Sequence, residues 1–193
     1  MIRLENISKA FGDKRVLEDI SADFSTGGTV CILGVSGSGK TTLMRIISGL
    51  EKPDSGTVSG IEGLRCSFVF QENRLLPWLT LVQNLCAVGV SRESALEYLK
   101  KVGLSGEEGS YPGQLSGGMA RRAALARALA YSGDVIFLDE PFAGLDAQTK
   151  SDMIQLLKSE LSGKTAFVVT HDTADAQLLE AETFTLGNNQ SLG

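Results

Sequence analysis

The sequence predicts an α/β fold: a parallel sheet, an N-terminal antiparallel β layer and a helical segment inserted between sheet strands. Three observations carry this. Residues 30–33 are a short apolar run that passes through a glycine-rich loop into a helical pattern, VCILGVSGSGKTTLMRIISGL. Residues 135–138 (VIFL) are an unbroken apolar run, as expected of a strand buried on both faces of a parallel sheet, and 165–170 (TAFVVT) read as another buried strand. From Gln71 to about Leu125 strand patterns are absent and helical ones take over. At 193 residues the chain suits one domain with room for a subdomain and a substantial core.

Taken in order, residues 2–8 (IRLENIS) and 15–24 (RVLEDISADF) are strand-like runs around a turn at Phe11-Gly12-Asp13-Lys14. Phe11 reads either as a hydrophobe anchoring that turn or as a ring on which adenine stacks. Thr26-Gly27-Gly28 turns the chain into the strand at 30–33, and the helix beyond the loop ends near residue 50, with Gly49, Pro53 and Gly56 as its stop signals. Residues 57–59 suit a short edge strand. Residues 65–70 (RCSFVF) read as a buried strand that delivers Gln71 at its carboxyl end, where open α/β sheets bind ligands.

Residues 75–90 are apolar, interrupted by Pro77 and carrying Trp78, the only tryptophan. Trp78 reads either as a core residue of the helical segment or as an anchor for a partner. Residues 94–102 (SALEYLKKV) place Leu96, Leu99 and Val102 on one side of a helix, and 120–131 (ARRAALARALAY) is a strong helix former. Asp146 caps a helix reaching about 161, and Asp172 a short one reaching about 181. Residues 183–192 leave room for a terminal strand or hairpin.

The loop fits the spacing G-x-x-x-x-G-K-[ST] at Gly34, Gly39, Lys40 and Thr41. Glycines let the backbone N–H groups of Gly34, Val35, Ser36, Gly37, Ser38 and Gly39 turn inward around an anion. The helix that opens at Thr41 and Thr42 adds its unpaired N–H groups and dipole. Lys40 can reach the β- and γ-phosphates of a nucleoside triphosphate, and the Thr41 hydroxyl can ligate Mg²⁺. Asp139 and Glu140 follow a buried apolar run, where two carboxylates are costly unless they meet a cation; a Mg²⁺ ligand beside a water-activating base fits that need. His171 ends the last sheet strand at the same edge as Gln71 and Asp139. Leu115-Ser116-Gly117-Gly118 feeds a helix N-terminus, which is a flexible turn or a second anion-binding arrangement.

Composition excludes other classes. A net charge of −5 argues against nucleic acid as a main partner. The three cysteines are widely spaced; Cys31 and Cys66 fall in strand-like runs and read as small buried hydrophobes of a reducing compartment, with Cys86 apart from both. With His171 the only histidine and no paired-cysteine spacing, a histidine–cysteine metal site is not expected. The N-terminal residues lack the apolar run of a signal peptide, and no run reaches the ~18 apolar residues of a membrane span.

In this order the pieces resemble the nucleotide-binding subunit of ABC transporters: phosphate loop at 34–41, Q-loop at Gln71, signature LSGGM at 115–119, Walker B at 135–139 with Glu140 beside it, D-loop at Gly144-Leu145-Asp146 and H-loop at His171. The segment QENRLLPWLTLVQNL and the Met119 signature are similar to importers of nitrate, taurine, alkanesulfonates and thiamine-precursor pyrimidines, which implies a small anion, sulfonate or pyrimidine as cargo. The resemblance implies one ABC ATPase domain over 1–193, with a RecA-like P-loop NTPase core at about 1–71 and 126–193 and a helical subdomain at about 72–125. It implies ATP and Mg²⁺, the metal held by Thr41, Gln71 and, through water, Asp139. Glu140 would polarise the attacking water and His171 would contact the γ-phosphate. A head-to-tail homodimer would form on ATP binding, each ATP lying between the phosphate loop of one copy and Ser116, Gly117 and Gly118 of the other. Asp146 joins the nucleotide-binding set.

Further partners implied are transmembrane permease subunits, docked on the apolar segment at 75–85, and a substrate-binding protein. The location implied is cytoplasmic, peripheral on the inner face of the cell membrane. The alternative is a soluble ABC ATPase without a permease, acting in DNA repair, cluster assembly or translation. The chain departs from the family pattern at Met119, at Arg121 where glutamine is common, and at Ala143-Gly144 where serine-alanine is common. It is also shorter than typical members, with no room for a C-terminal regulatory domain.

Overall fold

The computed structural model describes residues 1–187 and 191–192. β1 (Ile2–Phe11) and β2 (Lys14–Phe24) form an antiparallel hairpin, and β4 (Ser55–Ser59) pairs with the other edge of β1. Ile2, Leu4, Ile7, Leu17, Ile20 and Phe24 are buried by period-two alternation, so this layer has one apolar face.

That face covers a second sheet. β3 (Thr29–Leu33) leads through the glycine-rich loop into α1 (Lys40–Ile47). β5 (Cys66–Val69), β6 (Val135–Asp139), β7 (Thr165–Val169) and β8 (Glu182–Thr185) complete the parallel part, in the order β5-β6-β7-β3-β8. β9 (Ser191–Leu192) pairs antiparallel with β8, as a terminal hairpin requires; residues 188–190 lie outside the described residues.

The unbroken apolar runs have a direct explanation. In β6, Val135 and Phe137 pack into the core shared with α1 and the antiparallel layer, while Ile136 and Leu138 pack into the opposite core. Both faces are covered, so the four residues from Val135 to Leu138 are all apolar. Phe24 of the antiparallel layer meets Phe167 and Phe184 edge-on, with ring centroids 5.2 and 5.5 Å apart; this geometry suits the aromatic quadrupole.

On the other face sit α2 (Leu81–Cys86), α3 (Arg92–Lys101), α4 (Gly117–Tyr131) and α5 (Ala147–Leu161); α6 (Thr173–Leu178) follows β7. None of the helices among the described residues is long and apolar enough to cross a membrane.

Several expectations need correction. α4 begins at Gly117, not 120, because the Ser116 hydroxyl caps it, accepting from the Met119 N–H at 3.2 Å. The SGG sequence is therefore the cap and first turn of a helix rather than a flexible turn. In α3 the buried positions are Ala95 and Leu99, continued by Val102 just beyond, whereas Leu96 is exposed. The stripe follows the i, i+4, i+7 rule, and Leu96 lies about 100° off it. Cys31 is buried and its thiol is pushed up to about 12 by desolvation, but Cys66 is only half-buried, since β5 is the sheet edge.

Trp78 is 69% exposed and is not a core residue. Buried Asn84 supplies the reason. Its Oδ1 accepts from the Leu76 N–H at 2.7 Å, and its amide nitrogen donates to the carbonyls of Leu76, Leu79 and Thr80. These bonds fix the turn that carries Trp78 outward. The emission of this single tryptophan is expected at the wavelength of water-exposed indole, with acrylamide quenching close to that of a free tryptophan derivative; a blue-shifted, quencher-protected signal would contradict the exposed placement.

Candidate functional site

The carboxyl ends of β3, β5, β6 and β7 lie at one edge of the sheet, and each hands its next residues to a single cavity. Its volume is about 610 Å³, and it is lined by Ser36, Gly37, Gly39, Lys40, Thr41 and Thr42 after β3, by Gln71 after β5, by Asp139, Glu140 and Ala143 at and after β6, and by Val169 and His171 at and after β7. Phe11, Lys14 and Val16 of the antiparallel layer close one side. Phe11 is about half exposed there, so it is part of the wall as well as of the turn.

The glycine-rich loop is held by its own lysine. Lys40 is 7% exposed, and its ammonium donates to the carbonyls of Gly34 at 2.8 Å and Val35 at 2.9 Å. Gly34 and Val35 thus support the loop from outside the lining, as does Ser38, whose N–H donates to Val35 at 3.2 Å. Gly39 caps α1 in a left-handed conformation, φ 96°, and no side chain caps the helix, which leaves the N–H groups of its first turn free of a side-chain acceptor. A Cβ on Gly39 would lie 2.8 Å from the Leu17 side chain and 2.9 Å from the Val16 carbonyl oxygen. Only glycine fits between loop and β2.

The Thr41 hydroxyl donates to Asp139 Oδ2 at 2.9 Å. Asp139 Oδ1 is buried and has no partner among the described residues. Desolvation pushes this carboxyl above its ordinary range, opposed by the Thr41 hydroxyl, with the nearby Glu140 charge adding to the rise. A buried carboxylate with an open oxygen, beside a hydroxyl and with Gln71 on the same wall, is an oxygen donor set suited to a hard divalent cation.

Glu140 takes φ 48°, uncommon for a residue with a side chain, and its N–H donates to the Val169 carbonyl at 2.9 Å. That turn points its carboxylate into the cavity, where both oxygens lie 3.1 Å from His171 Nδ1. The His171 loop is anchored from below. Lys150 of α5 donates to Asp172 at 2.9 Å and pairs with Asp175, while the Thr170 hydroxyl donates to Asp175 at 2.9 Å.

Ser116, Gly117, Gly118 and Asp146 are not brought to the cavity. Asp146 caps α5, accepting from the Thr149 N–H and hydroxyl at 3.0 and 2.6 Å. Gly118 packs so closely on the Gly144 carbonyl that a Cβ would lie 3.3 Å from it. These residues form a second cluster at the N-termini of α4 and α5. Sequence reasoning missed Lys14, Val16, Ala143 and Val169 as lining and Lys150 as an anchor. Arg121 stood out only as a departure from a pattern, yet it is 2% exposed and bonded to the backbone behind the site.

The sequence pattern described as ABC transporter matches residues 17–143. The chain belongs to the ABC transporter family. A curated relative, aliphatic sulfonates import ATP-binding protein SsuB 1 of Rhodococcus jostii (strain RHA1), is 45% identical over 183 residues, covering 91% of this chain and 75% of the relative. The dimeric structure of MJ0796, a bacterial ABC transporter cassette, superposes with a TM-score of 0.89 at 33% identity, over 100% of this chain and 98% of that one. A post-hydrolysis state of the same cassette bound to ADP and Pi superposes equally well, at a TM-score of 0.89. The RecA-like P-loop core expected from the sequence is thus the fold of this family.

The loop's backbone makes a comparison of two glycines informative. Gly37 has φ 78° but open space around it, whereas Gly39 has both a left-handed φ and blocked space. Gly37→Ala is expected to cost about 1 kcal/mol from backbone strain alone, and Gly39→Ala about 2–3 kcal/mol more because β2 must move. Urea unfolding of the two variants measures the difference, and equal midpoints would contradict it.

Proposed function

We propose that this chain is the ATP-binding and ATP-hydrolysing subunit of an ABC importer for aliphatic sulfonates, working with Mg²⁺ as an ATP-closed homodimer on a membrane permease. The observation that carries the reading is the convergence of Lys40, Thr41, Gln71, Asp139, Glu140 and His171 on one cavity, in a family whose relatives include a sulfonate import ATP-binding protein. Within it, residues 72–125 are the helical subdomain and about 1–71 and 126–193 the RecA-like core.

Lys40 leaves the Gly34 and Val35 carbonyls for the β- and γ-phosphates, which the loop and α1 N–H groups surround. Phe11 stacks on adenine. Thr41, Gln71 and Asp139 would hold Mg²⁺, which would neutralise charge on the triphosphate when bound. Glu140 takes a proton from the water that attacks the γ-phosphorus as the bond to the ADP oxygen breaks; the proton then passes to phosphate or solvent. His171 contacts the γ-phosphate. A neutral imidazole has one N–H, so it serves Glu140 from Nδ1 or phosphate from Nε2, and only the imidazolium serves both.

Ser116, Gly117 and Gly118 lie outside the cavity of their own chain, with Asp146 in the same cluster, which supports their meeting the ATP of a second copy. The outward-held Trp78 supports docking of a permease on the 75–85 segment. A substrate-binding protein outside and a peripheral position on the cytoplasmic membrane face complete the reading. Exposed Trp78 within the apolar 75–85 segment favours this reading over a soluble ATPase without a permease.

Lys40→Ala is expected to lose Mg²⁺-dependent ATP hydrolysis by about 2–4 kcal/mol in the transition state; near-parental turnover would sink the assignment of the loop. Glu140→Gln keeps shape and hydrogen bonding but is no base. It is expected to bind ATP without turnover and to elute as a dimer in size-exclusion chromatography at high protein concentration, and a monomer with ATP bound would count against the paired arrangement.

A further inference from the structure

Arg121 is buried behind the cavity rather than in it. Its guanidinium is a planar fork with its donors in fixed positions. One terminal nitrogen donates to the carbonyls of Phe70 at 2.5 Å and Gln71 at 3.3 Å and to the Asn73 side-chain oxygen at 3.2 Å. The other donates to the carbonyls of Asp139 and Glu140. The two arms therefore grip two segments far apart in sequence, one carrying Gln71 and the other carrying Asp139 and Glu140. Glu140 has a left-handed backbone, and its carbonyl accepts both from Arg121 and from the Ala143 N–H at 3.1 Å, so the arginine ties the turn that aims its carboxylate to the opposite segment.

We propose that Arg121 is a positioning residue that sets the distance and angle between the Gln71 segment and the Glu140 turn. It does not line the cavity; it acts through the backbone of residues that do. Glutamine at this position is shorter and has one donor nitrogen where the fork has two, so it cannot reproduce the two-armed grip. Lysine keeps the charge but has no planar fork, and cannot hold both arms at fixed separation. The catalytic consequence rests on the ATPase reading above; the geometric one does not.

The test uses the full chain with Arg121→Gln and Arg121→Lys. Hydrogen–deuterium exchange is expected to rise about tenfold or more at the backbone amides of both segments, 71–74 and 140–145, with the amides of β3 and β7 unchanged. ATP affinity, measured by calorimetry in the Glu140→Gln background, is expected within about threefold of the parent, while kcat falls about tenfold or more with KM nearly constant.

Exchange that rises in one segment only or in neither, or a kcat within twofold of the parent, would each overturn the proposal. A parent chain without ATP turnover would instead overturn the ATPase reading, and the exchange result alone would then decide for or against the positioning role. If Arg121→Gln does not fold, the same measurements on Arg121→Lys decide it.

Discussion

The hydrogen bond from Thr41 to Asp139 joins residues 98 apart in the chain, and the site depends on it. It is short-range chemistry made possible by sheet order. β3 and β6 both flank β7, so α1 begins within reach of the end of β6. The bond uses one carboxylate oxygen and leaves the other buried and open. A carboxylate half satisfied in this way is raised above its ordinary range by desolvation, and a cation relieves the cost. Fold and electrostatics meet at this one contact: the parallel order brings the groups together, and burial makes their charge matter.

α4 gives the site its rear wall. Its alanines, among them Ala123, Ala124, Ala126 and Ala128, are buried and let the helix lie close to the sheet. Its arginines reach past them to loops whose carbonyls have no strand partner. Arg122 donates to Val102 and Gly103 at 2.7 and 2.8 Å, and Arg127 to Arg74 and Asn73 at 2.9 and 3.2 Å. With Arg121 these side chains answer the question of where irregular backbone finds its donors. An alanine–arginine helix is thus a packing surface and a set of fasteners in one element.

The sheet was legible because burial on both faces leaves apolar runs, which residues 135–138 and 166–169 display. The phosphate loop was legible because glycine, lysine and threonine each have a job that few other residues can do. The helical region was harder. Leu96 and Trp78 are apolar by type and exposed by position, since one lies off its helix stripe and the other sits on a turn fixed by Asn84. Arg121 carries no local signal at all: an arginine in a helix usually reads as solvated, and the carbonyls that bury it come from segments some 20 and 50 residues distant. Periodicity reports which face is covered, not which polar groups wait behind it.

Lys40 offers a last consequence. Its ammonium rests on two carbonyls of the very loop it closes. Any phosphate that draws it away must exceed those two bonds, and when the phosphate departs the carbonyls recover their donor. Under the proposed function the loop would compete with phosphate for its own cation, weakening the grip on nucleotide and speeding its release by the same two hydrogen bonds. Tightness and turnover are set against each other within seven residues of sequence, from Gly34 to Lys40.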